Sequence, residues 1–207
     1  MELELMSTLC LQPATDVYHV LYQQALACGE LWNIAMTQRR NKYSWGKANA
    51  ETQIEEIAAL QALDPQLQQV PQSALQQVIL DLDTAYADFL RAKDAFKRHQ
   101  RETMPAVPAF KPEGFLYPLY YAAEACALDT VVEPAVLRLT VQPDAEPLIL
   151  PCPASASLDL SEGLWLLPMA AHQIRVYTAS SKEAGRMALN DANSTKGTLI
   201  SGSSPRG

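Results

Sequence analysis

The 207 residues carry 16 Lys+Arg against 23 Asp+Glu, a formal net charge of −7, and 48% of them are hydrophobic. That length buries a real core within one domain or one and a half, and the acidic balance excludes a generally basic nucleic-acid binder while leaving room for a local basic patch. No apolar run of about 18 residues occurs, which excludes a transmembrane helix and a membrane partner, and Met1–Leu11, with Glu2 and Glu4 and no basic start, does not read as a signal peptide.

The first element is a strand over 3–11, where Leu3, Leu5, Ser7, Leu9 and Leu11 alternate with Glu4, Met6 and Thr8 until Pro13 ends it. Thr15 or Asp16 caps a helix whose apolar stripe (Val17, Val20, Leu21, Cys28, Leu31, Trp32, Ala35, Met36) runs to near Tyr43, with Gly46 as breaker. A shorter helix over 51–62 follows, with Ile54, Ile57, Ala58 and Leu60 on one side, and Asp64-Pro65 and Val70-Pro71 reset the chain. A long helix then runs from about Gln72 to Arg101, with Leu75, Val78, Ile79, Leu82, Ala85, Tyr86, Phe89 and Phe96 on one face. The Trp32/Met36 and Phe89/Phe96 stripes read as core packing between helices.

Beyond it the texture changes. Pro105, Pro108 and Pro112 make an extended linker. Residues 115–127 are aromatic and apolar and fit either a strand or a short helix. Short strands follow over 136–141, 147–150, 163–167 and 173–177. From Ser180 onward Ser, Gly, Asn and Lys dominate, the composition of a disordered tail. The organisation is therefore α+β: a small antiparallel β-barrel-like unit interrupted by a three-helix bundle. Residues 1–13 are the first strand of the β unit, 14–104 the bundle, 105–178 the rest of the β unit and 179–207 the tail. The four cysteines, Cys10, Cys28, Cys126 and Cys152, form no CxxC pair and read as reduced, buried thiols in a cytoplasmic protein.

No constellation for catalysis is legible. Glu55, Glu56, Asp81, Asp83 and Asp88 read as solvated helix faces, and Asp81 and Asp83, two apart on a helix, diverge. His19, His99 and His172 stand isolated, and there is no phosphate-cradling glycine loop and no nucleophile elbow. The expectation is no metal, no cofactor and no enzymatic activity. Two basic clusters stand out. Arg39, Arg40, Lys42 and Lys47 are interleaved with Tyr43 and Trp45, and Arg91, Lys93, Lys97, Arg98 and Arg101 are continued by Lys111. Cations hold phosphates and rings stack on unpaired bases; the same clusters also fit solvated helix ends.

Several segments, in order, carry a resemblance. They are Leu9-Cys10-Leu11-Gln12-Pro13; the run Cys28 to Met36 containing Trp32-Asn33, with Arg39, Arg40 and Tyr43 behind it; Val70-Pro71 with Leu75-Gln76, Leu82-Asp83-Thr84-Ala85-Tyr86 and Phe89; and Val107-Pro108-Ala109-Phe110-Lys111 with Phe115 and Tyr117. Over about residues 5–120 this resembles the OrfB/TnpB proteins of bacterial insertion sequences, relatives of the type V CRISPR effectors. The resemblance implies a β-barrel wedge domain interrupted by a helical recognition bundle, together holding a guide RNA and target-side duplex. It also implies that nuclease activity belongs to a later RuvC-like domain and a zinc-binding segment, neither of which this chain reaches. Two departures stand out: residues 1–111 hold 10 Lys+Arg and 13 Asp+Glu, and Ala109 stands where the family carries an arginine.

The expected function is the nucleic-acid-binding part of a TnpB-like, transposon-associated protein without the nuclease domain. RNA and/or DNA would contact Arg39, Arg40, Lys42, Tyr43, Lys47, Lys93, Lys97, Arg98, Arg101 and Lys111. The alternative is a protein-interaction module, or a truncated, decayed copy that pairs with a full-length relative or another subunit.

Overall fold

The computed structural model describes residues 7–41, 49–142, 145–153, 155–156, 158–178 and 181–199. The chain is mixed α+β and divides into two compact units, residues 1–26 with 115–207, and residues 27–114. Among the described residues no helix is long and apolar enough to cross a membrane.

The helical unit is built from α1 (Thr15–Arg40), whose first turns belong to the other unit, α2 (Ala50–Leu63), the single turn α3 (Pro65–Gln68) and α4 (Gln72–Lys97). Local signals set each boundary. Asn49 and Thr52 form a reciprocal capping box at the start of α2. Asp64 caps α3, with Pro65 in its first turn. Leu31, Trp32, Ala35 and Met36 of α1, Ile57 of α2 and Leu75, Val78, Ile79 and Leu82 of α4 are buried, as their three- and four-residue spacing requires. The expected three helices are present, with α3 added and with α1 and α4 ending at Arg40 and Lys97, short of Tyr43 and Arg101.

The end of α4 has a specific geometry. His99 N–H donates to Phe96 O at 3.0 Å and Gln100 N–H donates to Ala95 O at 2.9 Å, while His99 sits at φ 58°. This is a Schellman closure with histidine where glycine is usual. A side chain in that left-handed conformation costs about 1 kcal/mol.

Among the described residues the other unit holds seven strands in two antiparallel sheets: β1 (Ser7–Leu11), β2 (Leu119–Tyr121), β3 (Cys126–Asp129), β4 (Ala135–Leu139), β5 (Leu148–Cys152), β6 (Leu164–Met169) and β7 (Gln173–Thr178). One sheet has the order β1-β7-β6-β2 and the other β3-β4-β5. The stretch 115–127, open between strand and helix in the sequence, is β2, a single 3-10 turn over Ala123–Ala125, and the start of β3. Register places Leu9, Val176, Leu166 and Leu119 in one row across the first sheet. In β4, Ala135, Leu137 and Leu139 are buried while Arg138 is exposed, the alternation of a strand with one wet face. At the β6–β7 turn His172 stacks on Tyr18 at 4.8 Å. Cys28 and Cys152 are buried and Cys126 is partly so, but Cys10 lies exposed on edge strand β1, against the expectation of four buried thiols.

Strand β6 is different, because Leu164 to Pro168 are all buried. Its second face, Trp165 and Leu167 beside Tyr177 and Arg175 of β7, is covered by a helix where the sequence predicts a disordered tail. Residues 181–199 form α5 (Ser181–Leu199), with Ala184, Ala188 and Ala192 buried. Asp191 accepts from the Arg175 guanidinium, and from Tyr177 Oη at 2.7 Å. The tail reads as polar because its apolar side is made of alanines four apart, small enough for close approach yet weak in any hydrophobicity count. Residues 179–180 and 200–207 lie outside the described residues.

Gly185 marks a close approach within that contact. A Cβ there would lie 2.5 Å from Trp165 Cζ2. Gly185→Val is expected to lower the unfolding free energy by about 1–3 kcal/mol through overpacking, measured as a reduced urea midpoint at unchanged slope.

Candidate nucleic-acid interface

All described residues of the two basic clusters lie in the helical unit, and the structure sorts them into three environments. The first is the contact between α1 and the proline-rich segment 105–112. Pro108 and Pro112 have no N–H to give, and an extended segment makes no internal hydrogen bonds, so its carbonyls need outside donors. Helix α1 supplies them. Trp32 Nε1 donates to Ala109 O at 3.0 Å. The Asn33 amide serves both backbone groups of Lys111, donating to its O at 2.9 Å and accepting from its N at 2.7 Å. Arg40 Nη2 donates to Pro108 O at 2.6 Å. Two cation–ring contacts close the seam: Arg40 lies 4.6 Å over Phe110 and Lys111 Nζ 4.6 Å over Trp32. Burial lowers the Lys111 ammonium to about pKa 8, with the Asp81 carboxylate acting the other way.

The second environment is internal and corrects a sequence expectation. Arg39 is only 7% exposed. Its Nε donates to Gln53 Oε1 at 2.7 Å and its Nη1 to Asp83 Oδ1 at 2.9 Å, with the guanidinium 5.4 Å over Tyr86. Gln53 in turn donates to Ala35 O at 3.1 Å and Gln38 Oε1 at 2.8 Å. Arg39 therefore ties α1 to α2 and α4 and is not presented to a phosphate. Arg39 and Arg40 are neighbours on one helix and so face directions about 100° apart, which forces different environments on them. Asp83, read from sequence as a solvated carboxylate, is the counter-ion of Arg39, and Asp81 accepts from Gln77 at 2.8 Å.

The third environment is the C-terminal end of α4. Arg91 pairs with Asp88 at 2.7 Å and Lys97 approaches Asp94 at 3.9 Å; at this exposure such pairs hold their cations weakly. Lys93 stands 5.8 Å over Phe89. Arg98 and Arg101 are exposed. Next to them Phe96, His99, Gln100, Arg101 and Glu102 line a cleft of about 480 Å³. Sequence periodicity assigns Phe96 to the core; it lines this cleft instead, because α4 runs on past the last buried residue of its apolar face, Leu82. The structure thus gathers Lys93, Lys97, Arg98 and Arg101 at one helix end and places Arg40 and Lys111 along α1. Lys42, Tyr43 and Lys47 lie outside the described residues.

Among the described residues no three His, Cys, Asp or Glu side chains converge as a metal site. Burial raises the Cys28 thiol pKa and pushes that of Cys126 up to about 12, away from the thiolate a nucleophile needs. Comparison with protein-family models and with curated proteins gives no match for this chain.

Two outcomes follow from these environments. Arg39→Ala leaves the buried Gln53 carbonyl without its donor and is expected to cost about 2–3 kcal/mol of stability, read by denaturant unfolding. For Lys111 the folded value, about 8, lies below the ordinary 10.5. The unfolded chain therefore holds the extra proton between them, and stability rises with pH through that window. Unfolding at about pH 7.5 and 9.5 should show this rise in the wild type and its loss in Lys111→Met.

Proposed function

We propose that the chain is the nucleic-acid-binding part, for guide RNA and/or DNA, of a TnpB-like, transposon-associated protein, and that it acts by binding rather than by cleavage. The observation that carries this reading is the pairing of two segments on which the family resemblance rests. Trp32-Asn33 and Arg40 on α1 bond directly to Pro108, Ala109 and Lys111, up to 78 residues away in the chain. Motifs that resemble a family one by one are here a single structural device. In this reading α1 to α4 are the recognition bundle and the two antiparallel sheets belong to the wedge domain.

The contact surface is then the end of α4, where Lys93, Lys97, Arg98 and Arg101 supply phosphate-binding cations. Asp88, Asp94 and Glu102 lie among these cations, so the excess of positive charge there is small and local. Its affinity should fall steeply with salt, because each phosphate neutralised releases counter-ions. A second reading, a protein-interaction module that pairs with a full-length relative or another subunit, is favoured by Val131, 93% exposed between β3 and β4 with Val132 beside it at 42%.

The test is a salt titration of binding to labelled RNA and DNA by anisotropy. The triple variant Lys97→Glu/Arg98→Glu/Arg101→Glu is expected to bind more weakly and to reduce the slope of log affinity against log salt by about 2–3. Unchanged affinity and slope, or no binding of either nucleic acid by the wild type, would overturn the reading; a stable complex with a protein subunit instead would install the second one.

A further inference from the structure

The cleft at the end of α4 is chemically mixed in a way that a plain phosphate site is not. Arg101 lines it and Lys97 and Arg98 flank it, yet the same wall carries the Phe96 ring, the His99 imidazole, the Gln100 amide and the Glu102 carboxylate. A carboxylate beside a bare phosphate repels it, and a half-buried phenyl ring offers a phosphate nothing. A nucleobase uses all of these groups. Its face stacks on an aromatic ring, its edge offers N–H donors to a carboxylate or an amide oxygen, and its own phosphate answers the cations.

The backbone holds this wall in place. Hydrogen bonds from His99 N to Phe96 O, and from Gln100 N to Ala95 O, close the turn. His99 is held there at φ 58° despite its side chain. The main-chain bonds therefore fix the backbone positions from which residues 96, 99 and 100 project.

Resting on the nucleic-acid reading above, we infer that this cleft takes an unpaired base, so that the chain binds single-stranded nucleic acid in preference to duplex. In a duplex the base faces are stacked on each other and cannot reach Phe96 or His99. An unpaired strand can turn one base in while its backbone follows Lys97, Arg98 and Arg101.

The experiment measures anisotropy of the full chain with a labelled 12-nucleotide single strand and with a hairpin duplex of equal phosphate count. The wild type is expected to prefer the single strand by about tenfold, and Phe96→Ala and His99→Gly each to lose about tenfold on it, the worth of one stacked base. Duplex affinity and the salt slope should stay where they were. His99→Gly places the favoured residue at a left-handed position, so it keeps or raises the urea midpoint, and a loss of binding there is a loss of the ring, not of the fold. Phe96→Tyr, which keeps a ring, should restore binding. If both ring-removing variants bind the single strand like the wild type while the Lys97/Arg98/Arg101 variant weakens it, the base site is wrong and the phosphate surface stands. If neither strand form binds at all, both fall.

Discussion

A proline-rich segment cannot satisfy its own backbone, and much of the helical unit is arranged around that fact. Pro108 and Pro112 hold residues 108–112 extended, with carbonyls pointing away from any internal partner. Three side chains on two turns of α1 answer them: Trp32, Asn33 and Arg40. Asn33 is the centre of this arrangement, because its amide presents a donor and an acceptor at once to Lys111. Neither Asp nor Ala in its place could serve both groups. The rings then stack where the hydrogen bonds have brought them, Phe110 under Arg40 and Trp32 under Lys111.

The electrostatics of the unit follow from where its cations are spent. Arg39 is buried and matched by Asp83. Arg40 and Lys111 each have one face occupied by a ring. Among the described residues of this unit, the other exposed cations gather at the end of α4, where they also suit the helix dipole. An acidic protein can thus gather several exposed cations at one helix end without distributing basic residues generally, even with Asp88 and Asp94 among them. The same gathering places aromatic and amide groups next to the cations.

Much of this was legible in the sequence, and the parts that were not have identifiable causes. The helices announced themselves through three- and four-residue spacing, and Asp64, Pro65 and Pro71 marked boundaries closely, whereas the Asn49 cap of α2 went unread. Arg39 was misread as a surface cation because charge counting ignores direction; its adjacency to Arg40 already meant that both could not face the same way. Phe96 was misread for the opposite reason, since an apolar stripe says which face is apolar but not where the packing partner stops. Composition alone hides the helix α5. The informative residues were elsewhere, in β6: a run of Leu-Trp-Leu-Leu-Pro has no polar alternation, and a strand buried on both faces needs a second cover that only a later segment could provide.

That cover has a consequence for how the chain comes into being. Strands β6 and β7 leave the ribosome before α5, so their second face, with Trp165 at its centre, must wait for residues 184–192 to be added. During that interval the nascent sheet presents indole and leucine to water, the kind of surface that associates with other chains. The delay is short, because α5 starts three residues after β7 ends, and its alanine seam has only to fold back on the hairpin just made. Closeness along the chain, two residues between β7 and α5, is what keeps that exposure brief.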